Sequence, residues 1–362
     1  MSVGTLVQGQ DLIRLRHEAL SKRFDASSGS KIINLYRDLL GETDMKRMSL
    51  KDASDLCLKQ ALLLGSDVVQ QFFYAMEGKT AKRLALFQID RSKISAFARE
   101  HFPQAFNDVG LGDFYNNFTL REVGESPSII GFTRRDGYLE VRWAQLRKTR
   151  NDDHTENYYY YSVASKIFLA TRICYMLFDS IRRGDVESSW RLSVMPEYKD
   201  KLVEFLKCEV DDVMKFPLGW ALQEKLIKSM ELSATMDKYP QIFNSPEENK
   251  ITGAKFEKKQ PKFKRIHPTD DDGTFTEAET HLIVECLEDH DYQLVQISYI
   301  KQLGDEYAHL EVFLEGEIQI RKGLMMEGEI DDVVRELLQR SSVVSRPTYK
   351  PHPDTGQLQA NI

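Results

Sequence analysis

Residues 151–185 read "NDDHTENYYYYSVASKIFLATRICYMLFDSIRRGD", and the reading of this stretch decides how two thirds of the chain is drawn. Asp153 with Glu156 three residues on is the pattern of a capping box, and Asp152 adds negative charge where a helix dipole is positive. Lys166, Arg172, Asp179 and Arg183 recur at roughly helical spacing as a narrow polar stripe. The pattern therefore predicts a largely enclosed helix from about 154 to about 183. Four adjacent tyrosines, 158 to 161, would point in four directions on such a helix, which suits bundle packing better than a base-stacking groove.

Immediately upstream the period changes from 3.6 to 2. "IIGFTRRDGYLEVRWAQLRKTR", residues 129–150, alternates as a strand does and carries Asp136-Gly137, a dipeptide suited to a tight hairpin turn. Leu139, Val141 and Trp143 then share the core face, while Tyr138, Glu140 and Arg142 share the other. Six basic residues, Arg134, Arg135, Arg142, Arg147, Lys148 and Arg150, stand against Asp136 and Glu140. A helical region followed by a basic hairpin resembles a winged-helix arrangement, which implies phosphate contact by the wing. The alternative is an edge strand that uses charge to prevent pairing with other chains.

Further out, apolar spacing predicts helices over 10–24, 31–40, 49–77 with a break at Gly65-Ser66, 91–107, 111–117, 197–215 and 218–236. From Asn244 to Gly273 the composition shifts to Pro, Gly and Lys, which reads as a linker. Its basic core is Lys255, Lys258, Lys259, Lys262, Lys264 and Arg265 against Glu257, a composition that can follow a phosphate backbone or an acidic surface. Thr276 and Glu279 then cap a helix. The strand "YQLVQISYI", a hairpin turning at Glu315-Gly316 and the helix "EIDDVVRELLQR" complete an α-β-β-β-α order.

The expected fold class is thus α+β: a mainly helical region at 1–243 with an inserted antiparallel hairpin at 129–147, a linker at 244–273, a small module at 274–341 and a flexible tail at 342–362. The module's element order resembles a double-stranded RNA-binding domain, which implies a phosphate-facing start to its second helix. That start reads "MMEGEIDD", and its carboxylates would repel phosphate. From His267 to the end the chain holds 7 Lys and Arg against 20 Asp and Glu, a net −13, which leaves +6 for the rest of a chain whose total is −7. An acidic module of this kind suits a protein partner, self-association, or competition for the basic N-terminal part.

Composition excludes several classes. Hydrophobic residues at 41% and charged residues at 29% describe a folding chain. Cys57, Cys174, Cys208 and Cys286 are far apart with no CxxC pair, so free thiols in a reducing, cytoplasmic compartment are expected. Residues 1–17 lack the pattern of a signal peptide, and "IFLATRICYMLF" is too short and too charged to span a bilayer. There is no GxxxxGK, GxSxG or HExxH motif, so no cofactor, no metal site and no catalytic residues are expected. "RKTRNDDHTEN" places Arg147 and Arg150 before His154 and resembles the arginine-histidine motif of HEPN ribonucleases, which implies a divergent nuclease as an alternative. Metal-dependent cleavage would need carboxylates such as Asp136 and Glu140, or Glu285, Glu288, Asp289 and Asp291 with His290. The main expectation is a nucleic-acid-associated binding or adaptor protein within a larger complex, contacting DNA or RNA through the hairpin and linker and no membrane. A scaffold that touches no nucleic acid is the third reading.

Overall fold

The computed structural model describes residues 6–21, 83–90, 122–135, 137–150, 154–179, 190–216, 249–258, 263–267, 275–289, 292–303, 306–322 and 327–342, with isolated positions between these runs. Strands β1 (Val7–Gln8) and β3 (Glu122–Val123) pair with each other beside helix α1 (Gly9–Ser21). All other strands join one antiparallel sheet of eleven. In chain order these are β2 (Arg83–Ile89), β4 (Ser128–Arg135), β5 (Tyr138–Arg150), β6 (Glu156–Phe168), β7 (Ile173–Phe178), β8 (Val213–Lys215), β9 (Asn249–Lys258), β10 (Phe263–Ile266), β11 (Tyr292–Leu303), β12 (Glu306–Phe313) and β13 (Glu317–Lys322). Across the sheet the order is β10-β9-β11-β12-β13-β2-β7-β6-β5-β4, and β8 pairs with the far end of β2. Helices α2 (Met195–Leu206), α3 (Glu277–Glu288) and α4 (Glu327–Ser342) follow, with a π-helical turn at Trp190–Val194 and a 3-10 turn at Val210–Asp212.

The expected mainly helical N-terminal region is therefore corrected: its described core is sheet. The stretch expected as one helix is the hairpin of β6 and β7, turning at residues 169–172, where Arg172 takes a φ of 61° and its N–H donates to the Phe168 carbonyl. The physical reason lies in burial on both faces. Tyr159 and Tyr161 pack into the cluster around α2, while Tyr160 packs with Leu12, Leu15 and Ala19 of α1. A strand covered on both sides shows no polar alternation, so its apolar run mimics a buried helix. Glu156 caps nothing; it opens β6 opposite Arg150.

Downstream, the helix expected over 197–215 ends at Lys207, whose left-handed φ of 51° lets the Lys207 and Cys208 N–H groups satisfy the Glu204 and Val203 carbonyls. The chain then enters β8. The interval 244–273, expected as a linker, contains β9 and β10, which extend the sheet from β11. Described residues of 274–341 follow the expected order: the Thr276–Glu279 capping box is present, and Gly316 turns β12 into β13 at φ 82°. The expected helices at 31–40, 91–107 and 111–117 and the tail at 342–362 beyond Ser342 lie outside the described residues, as does most of 218–236.

Helices cover the two faces unequally. On one face α2 lies over the N-terminal half, where Phe132, Trp143, Phe178, Tyr198 and Phe205 pack edge to face, with Phe132 and Phe205 ring centroids 5.7 Å apart. On the other face Ile283 of α3 and Ile330, Val333, Val334 and Leu337 of α4 pack on Phe256, Ile297, Leu310, Val312 and Ile318. No helix among the described residues is long and apolar enough to cross a membrane.

Charge ties the acidic C-terminal elements to the basic N-terminal ones. Lys166 Nζ of β6, with its side chain 4% exposed, lies 2.7 Å from Asp331 of α4, and Tyr175 of β7 donates to the same carboxylate. The helix start where a double-stranded RNA-binding domain would meet phosphate is instead docked on the chain's own sheet. Asp331→Ala should leave the Lys166 ammonium buried without its counter-charge, at a cost of about 3 kcal/mol, measured as a lowered urea midpoint with an unchanged m-value.

Candidate nucleic-acid interface

Of the six basic residues expected to contact phosphate from the hairpin, two are interior. Arg142 donates to Glu140 at 2.6 Å and lies over the Tyr74 ring. Burial by itself would raise the Glu140 carboxyl, but Arg142 beside it holds it below its ordinary value. Arg147 makes a two-pronged bond to Asp185 at 2.9 and 3.0 Å, with both side chains at most 2% exposed, and Tyr159 donates to the same carboxylate at 2.5 Å. Desolvation works against the Arg147 cation, yet Asp185 holds its pKa above the ordinary value. Neither residue can reach a phosphate: Arg142 is buried on the face expected to be wet, under the Tyr74 ring, and Arg147 is buried on the opposite face, with Leu139, Val141 and Trp143, beside Glu197 of α2.

The remaining four sit at the hairpin's ends. Arg134 and Arg135 are exposed at the turn, with Arg135 4.0 Å from Glu140. Lys148 pairs with Glu125 at 2.9 Å and Arg150 with Glu156 at 3.1 Å. His154, with φ 64°, is exposed in the turn between β5 and β6, so the residues resembling the HEPN motif lie on a strand pair rather than one helix. No group of three or more His, Cys, Asp or Glu among the described residues could hold a metal ion.

A different surface gathers cations. Among the described residues, no helix covers the C-terminal half of the face that α2 covers over the N-terminal half, and a groove of about 540 Å³ crosses six strands there, β10 to β2. Strand register sets its floor in two transverse rows. In the first, Arg265 pairs with Lys255, Lys255 with Gln296, and Gln296 with Phe313. In the second, Gly253 pairs with Ser298, Ser298 with Glu311, Glu311 with Gln319, and Gln319 with Arg83. The rows arise because alternate residues of each strand point to one face, while Ala254, Phe256, Ile297, Leu310, Val312 and Ile318 form the core on the other.

Glycine at 253 is needed here. A Cβ at that position would lie 2.5 Å from Nδ1 of His267, so the absence of a side chain lets the imidazole lie against the strand at the groove's end. At the opposite end Arg191 enters from a π-helical turn, Trp190–Val194, immediately before α2. Its Nε donates to Glu317 at 2.7 Å and its guanidinium lies over the Phe313 ring, 4.6 Å from the centroid.

Five cationic side chains, Arg83, Arg191, Lys255, Arg265 and Arg321, line the groove against two carboxylates. Both carboxylates are engaged: Glu311 with Arg321 at 2.7 Å, and Glu317 with Arg191 and Lys215. Arg83 shows the resulting field. Burial lowers its pKa below the ordinary value, and the like charges of Arg321 and Arg191 push the same way, outweighing Tyr161 and Glu317. A bound anion would relieve that repulsion.

Of the expected linker residues, Arg265 lies exposed in this groove, and Lys264 instead stands 5.9 Å from the Tyr292 ring. The Lys258 side chain, Lys259 and Lys262 lie outside the described residues. Arg83, Arg191 and Arg321 were not singled out from sequence. The signal for Arg321 was present: in "EIQIRK" Glu317, Gln319 and Arg321 alternate with Ile318 and Ile320 as a half-buried strand must. Arg83 and Arg191 carry no such signal, since each lies far along the chain from the strands it joins.

No protein-family model matches this chain, and no curated protein matches it. The chemistry must be read from the site itself.

Arg147→Ala should leave Asp185 buried without its cation and destabilise the fold by roughly 3–5 kcal/mol, seen as an early denaturation midpoint. A phosphate-contacting Arg147 would instead give a variant of unchanged stability.

Proposed function

We propose that this chain is a non-catalytic binding protein that holds the phosphates of a nucleic acid on the open face of its sheet and acts as an adaptor in a larger assembly. The observation that supports this reading most directly is the clustering of five cations against two carboxylates in a single groove, an excess of positive charge on a chain whose net charge is −7. Positive charge concentrated locally against an opposite overall balance is what a polyanion site requires, and it steers a ligand to one face. Three cysteines, Cys174, Cys208 and Cys286, are unbridged, which supports a reducing, cytoplasmic setting.

The acidic C-terminal elements fit the adaptor role differently from a freely presented docking surface. Asp331, Glu315 and Glu317 are engaged by Lys166, Lys215 and Arg191 of the same chain. A protein partner or a second copy would therefore use the acidic surface beyond these pairs.

Fluorescence anisotropy with labelled oligonucleotides at low salt tests the reading. Binding should weaken with salt at a log–log slope of roughly −3 if about four phosphates are met. Arg83→Glu with Arg265→Glu should abolish most of the affinity and flatten that slope, whereas Arg134→Glu with Arg135→Glu should leave both nearly unchanged. The reverse pattern would return the site to the hairpin, and no binding by the folded wild-type protein would favour the scaffold reading.

A further inference from the structure

The groove has a lining as well as a charge, and the lining bears on which nucleic acid it suits. Six strands at the usual spacing of about 4.8 Å place Arg265 on β10 and Arg83 on β2 about 24 Å apart along the sheet. One extended strand laid along that length corresponds to a few nucleotides.

The lining follows the same logic. Cations stand at both ends, Lys255 and Arg265 at one and Arg83, Arg191 and Arg321 at the other. Between them Gln296, Ser298 and Gln319 offer hydrogen-bonding groups, Glu311 is paired with Arg321, and Phe313 offers a half-buried aromatic face. Arg191 already lies over that ring, so two flat, stacked groups stand together where a strand would cross. Sequence-tolerant single-strand binding uses this pairing of a basic track with an aromatic on which a base stacks. A duplex, with its bases turned inward, cannot use Phe313.

We infer that the groove takes single-stranded nucleic acid, laid across strands β10 to β2 with phosphates at its two cationic ends and one base stacked at Phe313 and Arg191. This rests on the nucleic-acid-binding reading above and narrows it. It also accounts for π-helical geometry at Trp190–Val194: the wider turn brings Arg191 to the boundary between the half of the sheet that α2 covers and the half left open.

Three labelled probes of equal length, about eight nucleotides so as to exceed a small single-strand site, decide the matter by anisotropy on the full chain at low salt. These are oligothymidine, the corresponding duplex, and an abasic strand with the same phosphates and no bases. Oligothymidine should bind at least about tenfold more tightly than either of the others, the loss of a stacked base being of that order. Phe313→Ala should remove the advantage of oligothymidine over the abasic strand while preserving the salt slope. The probe comparison on wild-type protein stands even if that variant does not fold.

Equal or tighter binding of the duplex, or equal binding of the abasic strand, overturns the single-strand inference and leaves the broader reading standing. Failure of all three probes to bind overturns the broader reading. Polyglutamate binding as tightly as oligothymidine overturns both, in favour of an acidic protein segment.

Discussion

Everything in this molecule hangs on a seam three residue pairs wide. β13 meets β2 through Glu317 with Ala85, Ile318 with Leu84 and Gln319 with Arg83, and this pairing joins the strands before residue 179 to those after residue 248. The seam is held by more than its ladder. Leu86 N–H donates to the Gly316 carbonyl at 2.8 Å, and Phe216 N–H to the Leu86 carbonyl at 2.9 Å. Gly316 is required there twice over: its φ is 82°, and a Cβ would lie 2.4 Å from the Phe216 carbonyl oxygen. Arg83 enters the groove only because of this register. A slip of one residue would turn Arg83 into the core and Leu84 into the groove.

Charge follows the same seam. The acidic and basic halves of the sequence, which composition sets in opposition, are neutralised against each other where they touch. Lys166 meets Asp331 on the α4 face, while Arg191 and Lys215 meet Glu317 on the α2 face. Pairs of this kind add less to stability than their geometry suggests, since desolvation offsets the attraction where they are buried, as at Lys166, and solvent screens it where they are exposed, as at Arg191. Their effect is on registration: each fixes one element of the C-terminal half to one of the N-terminal half. The cations gathered at the groove form a locally positive surface that the total charge of the chain conceals.

How much of this was legible in the residues differs from element to element. The hairpin at Asp136-Gly137 was legible because a two-residue turn fixes the local register, and β4 and β5 pair as that turn requires, Arg135 opposite Tyr138. The Thr276 cap and the order of α3, β11, β12, β13 and α4 were legible for the same reason, since caps, turns and amphipathic faces act within a few residues. The β6–β7 hairpin was not. Local signals there pointed to a helix, and what overrode them was cover on both faces, from α2 downstream and from α1 near the start of the chain, neither of them a neighbour in sequence. Arg265 could be flagged from its basic neighbourhood; its place beside Lys255 and in line with Phe313 could not.

By itself, then, the sequence determined the short-range features: the hairpin turn, the Thr276 helix cap, the amphipathic face of α4, the split of charge along the chain and the basic character of 255–265. Tertiary structure alone decided which arginines are interior and which line a surface. Arg142 and Arg147 look like surface residues in a basic hairpin, yet each is buried against a carboxylate. Arg83 and Arg191 look unremarkable, yet they share a groove with Arg321. The physical reason is that a strand's period tells which residues share a face, but whether that face is wet depends on what packs over it, and those covering elements come from tens of residues away or more.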